Sequence, residues 1–214
     1  MTEPDPSETR PTARRRTRLS ADERRATILA AATEVFAEHG YGRAKVSEVA
    51  ARIGVTEPVV FQNFKSKAGL FTAVVAHAAD LVCTELAAAA GSGVPVSALL
   101  TGLTAPEHLD RLHARGAIGV LFADSVAATA EPSVAEAGQT AVRRIAESLA
   151  ALLRRGQADG ELRAGTDPDA AAWLLISLIS ARPLRLAALP DASRAHIERE
   201  LAAMAAQLIA PPAG

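Results

Sequence analysis

An all-α chain is predicted by three features of the sequence. Apolar residues recur at three- and four-residue spacing over most of its length, no segment shows the two-residue alternation of a strand, and residues 45–67, KVSEVAARIGVTEPVVFQNFKSK, place two short helices around a glycine-centred turn. The expected architecture is an N-terminal three-helix domain containing a helix-turn-helix, joined to a larger C-terminal helical domain. The boundaries are a disordered basic arm at 1–19, the three-helix domain at 20–66, the body at 67–210 and a short tail at 211–214.

The first helix opens where Ser20 is followed three residues later by Glu23, the capping-box pattern, and then carries Ile28, Leu29, Ala32, Val35 and Phe36 on one face until His39 and Gly40. In the motif, Val49 and Ala50 face inward, and the alanine lets two helices approach closely. Gly54 can take the positive φ that ends a helix, Val55 fills the corner, and Thr56 is expected to cap the next helix. Pro58 falls in that helix's first turn, where its missing N–H costs no internal hydrogen bond. Ser66 can cap a longer exit helix in which Leu70, Phe71, Val74, Val75, Ala78, Leu81 and Val82 keep the helical period up to the Gly91 to Pro95 break. Helical segments then run over 96–103, 107–129, 132–157, 168–188 and 192–209. Residues 156–163 read as a helix end and turn, Asp167 with Pro168 as a helix start, and Pro183 as a point where the 168–188 helix kinks or ends.

At 214 residues and 49% hydrophobic content, the chain can bury one sizeable core and a small satellite domain. It has no uninterrupted run of about 18 apolar residues, and its first twenty residues lack a signal peptide's apolar stretch, so no membrane partner and a cytoplasmic location are expected. Cys83 is the only cysteine and is read as a packing residue. The net charge of −1 conceals a split: residues 1–70 hold twelve Lys and Arg against nine Asp and Glu, whereas the remainder holds eleven against fifteen. All three lysines, Lys45, Lys65 and Lys67, fall within the motif, the sign and place expected for contact with phosphates. The histidines have no metal-ligand spacing, and neither a nucleophile–base pair nor a glycine-rich phosphate loop is visible. No enzyme activity, metal or cofactor is expected.

The stretch from about Arg24 to Leu70 resembles the DNA-binding domain of the TetR family of transcriptional regulators. The matching residues are Ile28, Ala31, Ala32, Phe36, Gly40, Tyr41, Val46, Val49, Ala50, Gly54, Val55, Phe61, Phe64, Lys67, Leu70 and Phe71. Two departures stand out: Phe61, Gln62, Asn63 and Phe64 occupy a place where the family usually has Tyr-x-His-Phe, and Gly69 stands where it often carries an acid. With the second motif helix in a major groove, Glu57, Val59, Gln62 and Asn63 become the base-reading candidates, since carboxylate, methyl and amide groups each match a different base edge. The resemblance also places Phe61 at the DNA surface. Lys45, Ser47, Lys65 and Lys67 are the phosphate candidates, and Arg14, Arg15, Arg16 and Arg18 form an arm that can lie along the minor groove.

In the body, residues 170–179 are apolar on every side, so more than their own domain's core must cover them. The last helix, with Ile197, Leu201, Met204 and Leu208 read as inward-facing, supplies small Ala202, Ala203 and Ala206. Together the segments 168–188 and 192–209 are expected to form half of a four-helix homodimer bundle. The resemblance further implies a pocket for a small organic effector, with Phe122, Trp173, Leu174 and Ser177 as candidate wall positions. The expected function is that of a repressor released from a palindromic operator by such an effector; a non-specific architectural DNA-binding protein and a helical-bundle enzyme are the alternatives.

Overall fold

The structure is a computed structural model that describes residues 20–114, 116–128 and 130–210. The arm arginines Arg14, Arg15, Arg16 and Arg18 and the tail 211–214 lie outside the described residues. Eleven helices occur among them: α1 (Ala21–Arg43), α2 (Val46–Arg52), α3 (Glu57–Phe64), α4 (Lys67–Gly91), α5 (Val96–Thr104), α6 (Pro106–His113), α7 (Ile118–Ala127), α8 (Pro132–Ala158), α9 (Pro168–Ser180), α10 (Arg182–Ala188) and α11 (Asp191–Ile209).

The starts follow the local chemistry of their side chains. Ser20 Oγ accepts from Glu23 N at 3.1 Å while the Glu23 carboxylate accepts from Ser20 N at 2.8 Å, so α1 begins with the full reciprocal box. Ser66 Oγ accepts from Gly69 N at 2.9 Å to start α4, and the Asp167 carboxylate accepts from Asp169 N and Ala170 N to start α9. Glu161, in the turn after α8, accepts from the first backbone N–H groups of α5 and ties the two elements together.

One core joins the three-helix head to the first part of the body. Ile28, Val35 and Phe36 of α1, Val49 of α2, Val60 of α3 and Leu70, Phe71, Val74 and Val75 of α4 are fully or almost fully buried, and Leu121 of α7 with Val134 and Ala141 of α8 belong to the same cluster. Phe36 and Phe71 meet edge to face with centroids 4.8 Å apart, an arrangement that adds about 0.5–1.5 kcal/mol beyond area burial. A second core gathers Val96 and Leu100 of α5, Leu149, Leu152 and Leu153 of α8, Leu175 of α9 and Ile209 of α11. The long helix α8 serves both, its N-terminal half in the first cluster and its C-terminal half in the second.

Several expectations are corrected. The single helix foreseen over 107–129 is two, α6 and α7, because Gly116 takes φ 84 and its N–H donates to Ala37 O of α1 at 3.2 Å. The 168–188 segment divides near Pro183 as expected, into α9 and α10, with Pro183 in the first turn of the second, where it needs no internal partner. On α11 the buried positions are Glu198, Ala205 and Ile209, whereas Met204, 59% exposed, and Leu208 turn outward. Leu81 is exposed as well. Two helical stretches, Lys67–Gly91 and Pro168–Ala188, are long and apolar enough to cross a membrane by length and composition, which the absence of an uninterrupted apolar run had concealed. In α4 the buried part of that stretch, from Leu70 to Ala79, lies in the first core.

Buried charge appears where none was foreseen. Glu198 of α11 accepts from Arg185 Nε at 2.6 Å, and Arg182 of α10, also buried, reaches Asp110 of α6 at 2.7 Å and lies 3.5 Å from Glu198. These ions pin three helices to one another.

Candidate nucleic-acid interface

The turn between α2 and α3 is built by backbone hydrogen bonds. Gly54 N donates to Ala51 O at 3.2 Å and Val55 N to Ala50 O at 3.0 Å, with Gly54 at φ 67, which is the double bond pattern of a Schellman ending. Val55 packs against the head core beyond it. Thr56 stands at the N-cap of α3, but its side chain makes no capping bond. Its carbonyl instead accepts from Val59 N at 3.0 Å.

Val60 and Phe64, four residues apart, anchor α3 in the core, and this choice fixes what faces away. Glu57 and Gln62 are exposed, Phe61 is 36% exposed, and Val59 and Asn63 are half-buried. Asn63 donates from Nδ2 to Val59 O at 2.8 Å, so its amide is engaged along its own helix. Lys45 and Ser47 are exposed at the start of α2, and Lys65 and Ser66 between α3 and α4.

Lys67 is more enclosed than its neighbours. Its Nζ donates to Gly42 O at 3.2 Å and lies 5.0 Å from the centre of the Tyr41 ring, and burial lowers its pKa below the ordinary lysine value. The ammonium, carried by the first residue of α4, is thereby held against the last turn of α1.

One supporting residue escaped the sequence reading. Arg25 of α1 donates to Asn63 O at 2.8 Å and stacks its guanidinium 4.2 Å above the Phe64 ring, fastening the end of α3 to α1. Its only sequence signal was a basic residue one turn before the buried face of α1. Arg52 of α2, paired with Glu34 and Glu38 of α1 at 2.9 and 3.0 Å, fastens the other helix.

The turn after α3 is tight. Ser66 N donates to Phe64 O at 2.7 Å, which closes a three-residue γ-turn around Lys65 at φ 64 and ψ −44, the one non-glycine residue with positive φ among the described residues.

The head meets the body at the end of α1. Gly40 breaks the helix at φ 73 and ψ 163, and Asp124 of α7 accepts from Tyr41 N at 2.8 Å. A Cβ on Gly40 would lie 2.6 Å from that carboxylate oxygen. Beside this joint runs a surface groove of about 410 Å³, lined by Glu38, His39, Arg43, Val120 and Asp124 among others.

The four wall candidates do not converge on one cavity. Phe122 packs against the first core from α7, while Trp173, 46% exposed, with Leu174 and Ser177 sit on the outer side of α9. A cavity between α8, α9 and α11 amounts to about 10 Å³, room for one water at most. Trp173 and Leu174 of α9, Leu184 of α10 and Met204 and Leu208 of α11 leave these three helices with large exposed apolar side chains.

Comparison with known proteins agrees with this geometry. Residues 28–74 match the sequence model of the bacterial regulatory proteins of the tetR family, and residues 125–206 match that of the tetracyclin repressor-like C-terminal domain. The chain is 48% identical over 67 residues to the HTH-type transcriptional activator FasR of Mycolicibacterium smegmatis, covering 31% of each protein. It is 36% identical over 64 residues to the HTH-type transcriptional repressor BepR of Brucella suis, covering 30% of this chain and 31% of the other. The matches thus span about a third of the length of these curated relatives. A transcriptional regulator from Saccharomonospora viridis, solved in complex with choline, shares the fold with a TM-score of 0.70 at 20% identity, over 88% of this chain and 98% of that one.

Proposed function

This chain belongs to the TetR family of DNA-binding transcriptional regulators, which are not enzymes, and from that premise we propose that it is a homodimeric repressor that leaves a palindromic operator when a small organic effector enters its body. The observation that carries the reading is the Schellman-turned helix pair. Val60 and Phe64 lock α3 into the head and leave Glu57, Phe61 and Gln62 outward, directly beside the cation-bearing start of α4.

In this reading α3 enters the major groove. Glu57 accepts from a cytosine amine, Gln62 pairs with an adenine edge, Val59 and Phe61 pack on thymine methyls or sugars, and Asn63 joins them on releasing Val59 O. Lys45, Ser47, Lys65 and Lys67 hold phosphates and fix the register without reading sequence. Arg14, Arg15, Arg16 and Arg18 serve as the minor-groove arm. The protein works in the cytoplasm, where its operator is.

The exposed apolar face of α9 and α11 supports the dimer. A large contiguous apolar patch marks an interaction site, and a two-fold pairing of these helices would cover Trp173, Leu174, Met204 and Leu208 at once. Two heads on one face of a duplex then require half-sites about 34–36 Å apart, or a multiple of that distance.

The effector acts by binding one head spacing more tightly than the other, since equal affinity for both shifts nothing. We place it in the body. The ligand-bound relative from Saccharomonospora viridis supports a small-molecule partner. The relatives FasR and BepR are named as an activator and a repressor, so the sign of regulation needs its own measurement. Selection of duplexes from a random pool tests the class: a palindromic consensus supports the operator-binding regulator, whereas no enrichment favours an architectural protein. A promoter fusion carrying that consensus, assayed with and without the gene, then decides repression, and higher output with the protein present refutes it.

A further inference from the structure

We infer that Gly69 is a specificity-determining position: with the γ-turn at Lys65, it sets the angle between the recognition helix α3 and the exit helix α4. The inference rests on the reading of α3 as the groove-reading helix. Phe64 ends α3 with its ring buried and held under Arg25, so its backbone has little freedom to move. The carbonyl of that residue closes the γ-turn with Ser66 N and lies over the first turn of α4. There it occupies the space a side chain on Gly69 would need. A Cβ built on Gly69 would sit 2.4 Å from Phe64 O and 3.6 Å from its carbonyl carbon.

The obstacle is backbone, which cannot swing aside like the tip of a lysine. An ordinary carbon–oxygen contact needs about 3.3 Å, so a side chain on residue 69 must separate the end of α3 from the first turn of α4 by about 1 Å and change the angle between them. Binding constellations tolerate displacements of only about 0.5 Å. The reading side chains Glu57, Phe61 and Gln62 ride on the same short helix and move with it. The phosphate-facing lysines do not suffer equally, because a long flexible ammonium follows a phosphate across such a shift. Sequence discrimination should therefore fall while general affinity for DNA stays.

The Lys65 turn makes the same angle costly to change from the other side. A positive-φ γ-turn is rare and strained for a side-chain-bearing residue, and it persists where its surroundings over-determine it. Buried Phe64 on one side and the Ser66 cap of α4 on the other supply that constraint. Gly69 is what allows the carbonyl between them to rest where it does.

The test uses the full-length chain and the duplex that the wild type enriches from a random pool. Affinities of wild type and Gly69→Ala are measured for that duplex and for a random duplex of equal length, at matched salt and well below the melting temperature. The expected result is a loss of roughly tenfold to a hundredfold on the enriched duplex, with the random duplex bound as before. An unchanged ratio of the two affinities overturns the inference, whatever happens to the melting temperature. Should Gly69→Ala not fold, Lys65→Gly carries the test, because glycine frees the turn without adding bulk. A fall in the same ratio supports the fixed angle, and equal loss on both duplexes, as expected from removing only a phosphate contact, overturns it. Failure of the wild type to enrich any duplex would instead sink the reading of α3 itself.

Discussion

Asp124→Ala should loosen the joint between head and body, and the structure gives its size. The substitution removes the acceptor that Tyr41 N reaches at 2.8 Å across 83 residues of sequence. A hydrogen bond to a charged group contributes about 1.5–3 kcal/mol. Asp124 is half-buried and borders the surface groove, so water can take over the freed N–H and the lower figure applies. For a chain of this length about 1.5 kcal/mol lowers the thermal midpoint by about 3–6 °C. Gly40→Ala should cost more. It forces a side chain onto φ 73 and ψ 163, a region that is nearly glycine-only and costs of order 1–3 kcal/mol, and it drives a Cβ to within 2.6 Å of the Asp124 carboxylate. In the double variant the collision disappears while the backbone strain stays. The two effects should therefore combine to less than their sum, by about 0.5–3 kcal/mol. Denaturant unfolding of all four proteins at one concentration measures this directly, with the concentration fixed because dimerisation shifts apparent stability. Additive losses, or an Asp124→Ala midpoint equal to the wild type, would refute the joint as described.

Three further outcomes follow from the same structure. Lys67→Ala should weaken binding to every duplex alike and reduce the slope of log affinity against log salt by about one; an unaltered slope removes Lys67 from the phosphate contacts. Trp173→Glu places a charge on the exposed face of α9 and should convert a dimer to monomers in light scattering, and an unchanged mass would move the interface elsewhere. Glu198→Ala leaves buried Arg182 and part-buried Arg185 without their shared carboxylate and should cost about 3–5 kcal/mol, as for other broken buried pairs; a loss below 1 kcal/mol, on the scale of a surface pair, would contradict the burial.

What the sequence disclosed was local. The capping box at Ser20, the Gly54 turn and the Ser66 and Asp167 starts each depend on residues within five positions of one another, so their geometry is written in adjacent letters. The break between α6 and α7 was hidden because a distant carbonyl, Ala37 O, stabilises it. The outward turn of Met204 and Leu208 was hidden for another reason. An alanine-rich helix offers an apolar choice on every side, and Ala205 with Ile209 won the interior instead. Burial of Arg182 and Glu198 could not be read from charge alone, since each is buried through partners on other helices. The exposure of Glu57 and Gln62 was legible from helix phase, but the engagement of Asn63 with Val59 O and of Lys67 with Gly42 O was not.

The exit helix has a mechanical consequence. With 25 residues, α4 is a rod about 37 Å long, and its first half is welded into the same apolar cluster as the rest of the head. A head so mounted cannot swivel on its own stem; it must travel wherever the rod is aimed. Swinging the rod by about five degrees about its far end displaces its near end by about 3 Å, close to the 3.4 Å rise between neighbouring base pairs. A movement too small to disturb the packing at one extremity is thus magnified, at the other, into a whole step of the double helix.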